Sequence, residues 1–458
     1  MRIAVIGGLA AGPAAASEAK RRAPDATVVM YEEGREVSVG TCEIPYFVAD
    51  RLGGPDSLRV VTPEKLAASR GIEVRLRHCV AELDPQRGRL AVDALDYGSR
   101  HEERFDRFVL ATGARARRLG VPGEDAAGVF TIRGLEDAVG VKRWIETEPV
   151  RHVVVVGGGY IGLEMAEAAR DRGLRATILD PGGRVLNTTI ACEASSLMDE
   201  AVRAAGVAVR AETATEVLAD DAGRVRAVRT DKGEVVGCQM VIVSVGVEPR
   251  TELAEAAGIA LGGMGGVRVD ERMRTSARTV WACGDVVEVP RAVDGRPVHW
   301  PLAPVARRTA RVAARNAAAR DGRADRFEPI AGGVAVKAFG VEVGAVGLSM
   351  KQAGEAGLDA VAADVRHRTK TAAYPGSCPI DVRLVVERGT GRILGGQVVA
   401  AEGAALRADV LVPLVQSGAT AERLAEDLDL VYNPPVAPAV DPLKVAAREA
   451  MKRATGND

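Results

Sequence analysis

The sequence predicts an α/β protein of two parallel-sheet units followed by a smaller α+β unit, and three observations carry that reading. Apolar, strand-like runs alternate with alanine-rich helical patterns over roughly the first 250 residues, as expected of parallel strands covered by helices. A strand running into a glycine turn and then a helix occurs twice, beginning at RIAVI (2–6) and at HVVVV (152–156). After residue 330 the pattern changes to short strands, such as VAVKAF and DVRLVVE, with a helical end.

Bulk properties bound the rest. A chain of 458 residues exceeds one core of ordinary size, so two or three domains are expected. Hydrophobic content of 47%, charged content of 27% and a net charge of -1 describe an ordinary globular protein with no nucleic-acid partner. The arginine-rich stretch from Arg307 alternates with alanine like a solvated helix face. The six cysteines show neither CxxC nor Cys/His ligand spacing, so no metal and no disulfide framework are expected, and a reducing cytoplasm fits best. The start, MRIAVIGGLAAGPAAASEAKRR, has the composition of a signal peptide but the glycine pattern of a turn. No apolar run approaches the roughly 20 residues of a bilayer span, so no membrane partner is expected.

Each glycine turn has a chemical reading. A pyrophosphate needs backbone N–H groups at a helix start and no side chains in the way. In the second unit Gly157, Gly159 and Gly162 complete GxGxxG around Tyr160 and Ile161, and Asp180 ends the next strand eighteen residues beyond Gly162. There a carboxylate accepts from ribose hydroxyls and repels a 2′-phosphate, which favours NADH, although Arg184 leaves room for NADPH. In the first unit Gly7, Gly8, Ala10, Ala11 and Gly12 form the turn, with Leu9 where the middle glycine belongs, and Glu32 follows Gly12 by twenty residues. The prediction is therefore two Rossmann-like dinucleotide-binding units.

With three further segments the sequence resembles the flavin-dependent pyridine nucleotide-disulfide oxidoreductases over essentially its whole length. Ala111, Thr112 and Gly113 resemble the turn where the chain leaves the flavin domain. SVGVEP (244–249), containing Gly246, resembles its return, and TSARTVWACGD, ending in Gly284 and Asp285, resembles the second flavin motif. The resemblance implies an FAD-binding domain of residues 1–113 and 247–325, an NAD(P)-binding domain of 114–246 and a C-terminal dimerisation domain of 326–458. It also implies that Asp285 bonds the ribityl chain of FAD, Arg133 contacts a flavin phosphate, Leu302 and Ala303 adjoin the isoalloxazine, Glu164 faces the nicotinamide and Tyr160 gates its site.

The segment SVGTCEIPYF (38–47) narrows the resemblance. The position five after Cys42 is Phe47, so there is no local dithiol. One cysteine followed by Pro45 and Tyr46 resembles the coenzyme A disulfide reductases and NADH-dependent persulfide reductases, as do TPEK (62–65), YPG (374–376) and YNPPVAPAVDP from Tyr432. This subgroup implies a homodimer in which Cys42 attacks a small disulfide or persulfide as a thiolate favoured by a helix N-terminus. Tyr374 and Tyr432, from the partner subunit, approach it and donate to the departing thiolate. It assigns Lys65, Arg21 and Arg22 to the phosphates of coenzyme A, as substrate or bound thiol, and a hydrogen bond near the cysteine to Ser38. Val436 stands where the subgroup often carries another tyrosine. Cys378, four residues after Tyr374, is conceivable as a resolving thiol; Cys79, Cys192, Cys238 and Cys283 read as buried apolar residues. Persulfide-reducing members sometimes carry a C-terminal sulfurtransferase domain; the sequence reaches Asp458 without such a segment, which shifts the expectation little. The competing NADH oxidase and peroxidase branch cycles one cysteine through sulfenic acid and typically holds a histidine in the first turn, where this sequence has Gly8, Leu9, Ala10 and Ala11.

Overall fold

The computed structural model describes residues 1–191, 195–320 and 324–455. Strand Arg2–Ile6 lies at the centre of a five-stranded parallel sheet in the order Val280–Ala282, Arg107–Leu110, Arg2–Ile6, Thr27–Glu32, Ile72–Leu76. Consecutive strand residues point to opposite faces, yet Ile3, Ala4 and Val5 are all fully buried. Both faces are therefore covered, which is why the strand reads as an unbroken apolar run. Helices Ala11–Arg22 and Ala303–Ala318 pack together through small residues, Ala15, Ala16 and Ala19 on one and Ala310, Ala313 and Ala314 on the other. The arginine-rich stretch forms much of the second helix, with Arg307 and Arg311 exposed and its alanines buried.

The second sheet repeats the plan, in the order Ala208–Arg210, Arg175–Leu179, His152–Val156, Met240–Val243, Val129–Thr131, again wholly parallel. In each sheet the strand feeding the glycine turn is central, with the strand that leads to the acid on one side and a later strand on the other. This puts both turns at a topological switch point, where the carboxyl ends of neighbouring strands leave a crevice. Each unit also carries an inserted three-stranded antiparallel sheet, which begins at His78–Asp84 after strand Ile72–Leu76 in the first and at Ala214–Ala219 after strand Ala208–Arg210 in the second. The chain passes between the units side by side, Ala114–Ala116 pairing antiparallel with Val247–Pro249.

The C-terminal segment forms a five-stranded antiparallel sheet, Val334–Ala338, Val341–Gly347, Ile393–Ala400, Pro379–Glu387, Ala360–Arg368, with helices Ala404–Ser417 and Pro442–Thr455 packed on it. The fold is thus two Rossmann-like α/β units and an α+β unit. The boundary expected near 320–330 falls partly on residues 321–323, and Cys192 also lies outside the described residues. Among the described residues, no helix is long and apolar enough to cross a membrane, and no cluster of His, Cys, Asp and Glu could hold a metal ion.

Candidate active site

The glycines of the two turns are required by the protein's own packing. Gly7 and Gly157 have φ of +110° and +100°, and a Cβ there would strike the carbonyl oxygen of Ala111 or Ser244. A Cβ on Gly12 or Gly162 would run into the carbonyl of Gly7 or Gly157. Gly159 differs, because nothing lies within 4 Å of a Cβ built on it. Leu9 is its counterpart in the first turn. The protein leaves room for a side chain at that position, and Leu9 packs against the cluster that includes Val39 and Ile44.

Each acid is fastened to its turn. Gly8 N donates to Glu32 Oε2 at 2.6 Å and Gly34 N to Oε1 at 2.7 Å, while Gly158 N donates to Asp180 Oδ2 at 2.9 Å. Gly182 N and Asn187 Nδ2 donate to Asp180 Oδ1. Burial pushes the Glu32 carboxyl up, against the pull of its two amide donors. Neither helix start, at Ala10 or Gly159, is capped by a side chain, so the first-turn amides are left for an anion.

Both turns and both acids line one cleft of about 1970 Å³, together with Cys42, Tyr160, Ile161 and Glu164. Ala111, Thr112, Gly113, Arg133, Gly246, Asp285, Leu302 and Ala303 line it as well. Gly284 lies beneath, where a Cβ would press on Ala11. Arg133 Nη2 reaches Asp285 Oδ2 at 2.8 Å and its Nε donates to Ala114 O at 2.9 Å. His299 and Trp300 also face the cleft, and the buried Nε1 of Trp300 has no hydrogen-bond partner. Uncapped turns, an acid beside each turn and room for two extended ligands fit FAD in the first unit and a nicotinamide dinucleotide in the second.

Cys42 sits on a single turn, Thr41–Glu43, that leads into helix Ile44–Val48, anchored by the buried Ile44, Phe47 and Val48. Ser38, at a φ of +52°, donates its amide to Gly8 O at 2.8 Å and so ties this loop to the first turn. The thiol is open to the cleft, and the groups of this chain around it do not favour its thiolate. Desolvation by the surrounding protein, then the charges of Glu43, Glu164 and Asp285, push the Cys42 thiol up.

A residue pair that sequence reasoning missed lies beside it. Tyr46 OH donates to Glu164 Oε1 at 3.2 Å, joining the cysteine segment to helix Tyr160–Asp171. Burial, reinforced by Glu167 and partly offset by the Tyr46 hydrogen bond, pushes Glu164 up to about 7. Tyr46 is itself pushed up to about 12, by burial first and then by Glu164. Thr189 Oγ1 donates to Tyr160 OH at 2.7 Å.

Other expected site residues lie elsewhere. Tyr374 and Tyr432 are 41% and 53% exposed and do not line the cleft of their own chain, and Val436 is exposed too. Arg21, which pairs with Glu18, Arg22 and Lys65 are also outside it. TPEK has a local structural role, because Thr62 Oγ1 accepts from Lys65 N at 3.3 Å and starts a helix. Cys378 is half-buried with Sγ 3.4 Å from Thr369 Oγ1. Cys238 and Cys283 are buried, and burial pushes both thiols up to about 12. Cys79 departs from the expected burial: it lines the cleft at the start of strand His78–Asp84, Sγ 3.9 Å from Glu33 Oε2.

Comparison with known proteins agrees with this geometry. Residues 1–310 match the family model described as pyridine nucleotide-disulphide oxidoreductase, and residues 334–443 match the dimerisation domain of the same family. The NAD(P)H coenzyme A polysulfide/persulfide reductase of Pyrococcus horikoshii is 35% identical over 447 residues, covering 98% of each chain. A protein named NADH oxidase from Methanocaldococcus jannaschii is 30% identical, covering 99% of each chain. Among solved structures, the NAD-dependent persulfide reductase from A. fulgidus superposes with a TM-score of 0.95 at 33% identity, covering 100% of this chain and 84% of that one.

Proposed function

This chain belongs to the pyridine nucleotide-disulphide oxidoreductase family, and from that premise we propose that it is an FAD- and NAD(P)H-dependent reductase of coenzyme A persulfide, coenzyme A disulfide or a related small disulfide or polysulfide. The observation that carries this reading is Cys42, exposed in the cleft shared by both glycine turns and with no second cysteine in its own segment. The names of the Pyrococcus and A. fulgidus relatives support the sulfur substrate.

In this reading the first turn, Glu32, Arg133 and Asp285 hold FAD, and the second turn with Asp180 holds the nicotinamide dinucleotide, NADH preferred. The expected domain division of 1–113 with 247–325, 114–246 and 326–458 is retained, and membership of strand Val280–Ala282 in the first sheet supports it. When bound, FAD supplies sulfur with an electron pair taken as hydride from the nicotinamide. Cys42 does the rest of the chemistry. Its thiolate attacks the substrate S–S bond, keeps one half as a mixed disulfide and expels the other as thiolate; two electrons then free Cys42 and release the second thiol. Burial, and after it the nearby carboxylates, push the Cys42 thiol up, so protonation of Glu164 removes one repulsion and favours the reactive thiolate.

A homodimer follows from the dimerisation domain. In it the partner's Tyr374 and the partner's Tyr432 approach Cys42 and donate to the leaving thiolate. Lys65, Arg21 and Arg22 are the cations assigned to coenzyme A phosphates. The described cysteines are all free, which fits a reducing cytoplasm. The name of the Methanocaldococcus relative favours a second reading, NADH oxidase activity. Anaerobic NADH oxidation with coenzyme A persulfide, coenzyme A disulfide and glutathione disulfide separates the two. Turnover with a coenzyme A species that vanishes in Cys42→Ser is expected. Inertness toward all three, with rapid NADH consumption once air is admitted, would establish the oxidase instead.

A further inference from the structure

Three acids, Glu164, Glu167 and Asp171, lie in one stripe of helix Tyr160–Asp171, at the three- and four-residue steps that share a helix face. The segment that carries Cys42 meets all three. Tyr46 OH reaches Glu164, while Arg51 pairs with Glu167 at 3.2 Å and with Asp171 at 2.6 Å. Arg51 N donates to Tyr46 O at 2.9 Å, so both side chains stand on one hydrogen-bonded turn. Glu167 also reaches the C-terminal unit. Its Oε1 accepts from Phe339 N at 2.7 Å, at the tip of the hairpin between Val334–Ala338 and Val341–Gly347, where Phe339 and Gly340 have φ of +52° and +76°. The same three segments share an apolar cluster through Ile44, Phe47, Leu163, Ala338 and Val341. One carboxylate, 8% exposed, thus joins the cysteine segment, the second unit and the C-terminal unit.

Stability alone does not account for this arrangement. Like charges three residues apart on a helix repel, and burial strengthens the repulsion between Glu164 and Glu167. Burial keeps the proton on Glu164, and the charge of Glu167 adds to that effect against the Tyr46 hydrogen bond. Glu164 in turn acts on the Cys42 thiol. Among the described residues, the titratable groups set against Glu164 are Cys42 and Tyr46 from the cysteine segment and Glu167 from its own helix, with Arg51 acting on Tyr46 and Glu167. The cations of the other packed elements are held elsewhere, Lys142 and Arg172 by Asp50 and Lys337 by Glu342. The balance of charge between Arg51 and Glu167 is therefore what reaches Glu164.

On the reading of Cys42 as the reacting sulfur, we propose that Glu167 is a positioning residue for its chemistry: paired with Arg51 it seats the cysteine segment on the helix that carries Glu164, and any unpaired charge there acts on Cys42 through Glu164. Neither Arg51 nor Glu167 lines the cleft, so neither touches the reacting atoms.

The test uses the FAD-loaded protein, reduced anaerobically with NADH and alkylated with iodoacetamide over a pH range that spans the Glu164 titration at about 7. Modification of Cys42 is followed by peptide mass and by loss of turnover. The rate climbs with pH as thiolate forms, and the climb is expected to slacken where Glu164 loses its proton. Glu167→Gln and Arg51→Met remove the same ion pair, so they loosen the segment alike but leave opposite charges beside Glu164. The inflection is expected to move to lower pH in Glu167→Gln and to higher pH in Arg51→Met, by about half a unit or more in each. Should Glu167→Gln fail to hold flavin, Asp171→Asn, which leaves Arg51 to Glu167 alone, carries the same downward shift. Shifts in one direction, or none, would mean a structural tie only and overturn the proposal, as would a wild-type profile without an inflection. Turnover with coenzyme A disulfide that survives full alkylation of Cys42 overturns the reading of Cys42 itself, and this proposal with it.

Discussion

Replacing Glu164 with glutamine is expected to remove a pH dependence from folding, and its size follows from the site. Burial holds the Glu164 carboxyl up at about 7, against about 4.5 for an ordinary glutamate. Between those values the folded protein keeps a proton that the unfolded chain has released. Stability therefore falls as pH rises through this window and levels off above it. At about 1.36 kcal/mol per pKa unit, the loss from this one group is about 3 kcal/mol. Urea unfolding of wild type and Glu164→Gln, with excess FAD held constant for both, measures the difference at fixed pH values across the window. Wild type is expected to lose about 3 kcal/mol relative to the variant between acid and neutral pH. Tyr46→Phe removes the hydrogen bond that holds the carboxyl down, so its loss continues to higher pH, by about 1 kcal/mol more. A constant difference between wild type and Glu164→Gln across the window would refute the buried-carboxyl reasoning.

Gly12→Ala is expected to yield protein without flavin absorbance, because its Cβ runs into the Gly7 carbonyl, whereas Gly162→Ala remains yellow and loses reduction by NADH; visible spectra and stopped-flow reduction check both. Asp180→Ser removes the charge that opposes a 2′-phosphate, and the ratio of kcat/KM for NADH over NADPH is expected to fall by about tenfold or more. Cys378→Ser is expected to leave turnover within about twofold of wild type, since the thiol is a half-buried partner of Thr369 and lies outside the cleft.

What was legible in the sequence was local. A strand, a glycine turn, a helix and an acid at a fixed spacing are one continuous segment, so both dinucleotide units could be read and their glycines named. The meaning of Leu9 was not legible, because the open space beside Gly159 exists only once strand and helix are placed. The antiparallel inserts hid for a related reason: SRHEER, from Ser99 to Arg104, is mostly exposed and carries no apolar alternation. Tyr46 and Glu164 are 118 residues apart, and nothing near either one announces the other. The same holds in part for the thiol of Cys42, pushed up first by burial and by the adjacent Glu43, and then by Glu164 and Asp285 from distant segments that nothing near Cys42 announces. Cys79 was misread because composition cannot distinguish a strand start inside a core from one at the rim of a cleft.

The most direct test of the account is to trap the sulfur that reacts. The NADH-reduced protein, mixed anaerobically with a slight excess of coenzyme A disulfide and quenched in acid, is digested and its peptides are weighed. One coenzyme A per chain on the peptide containing Cys42, absent from Cys42→Ser, is the predicted result. No adduct, or an adduct on Cys79 or Cys378 that persists in Cys42→Ser, would contradict it.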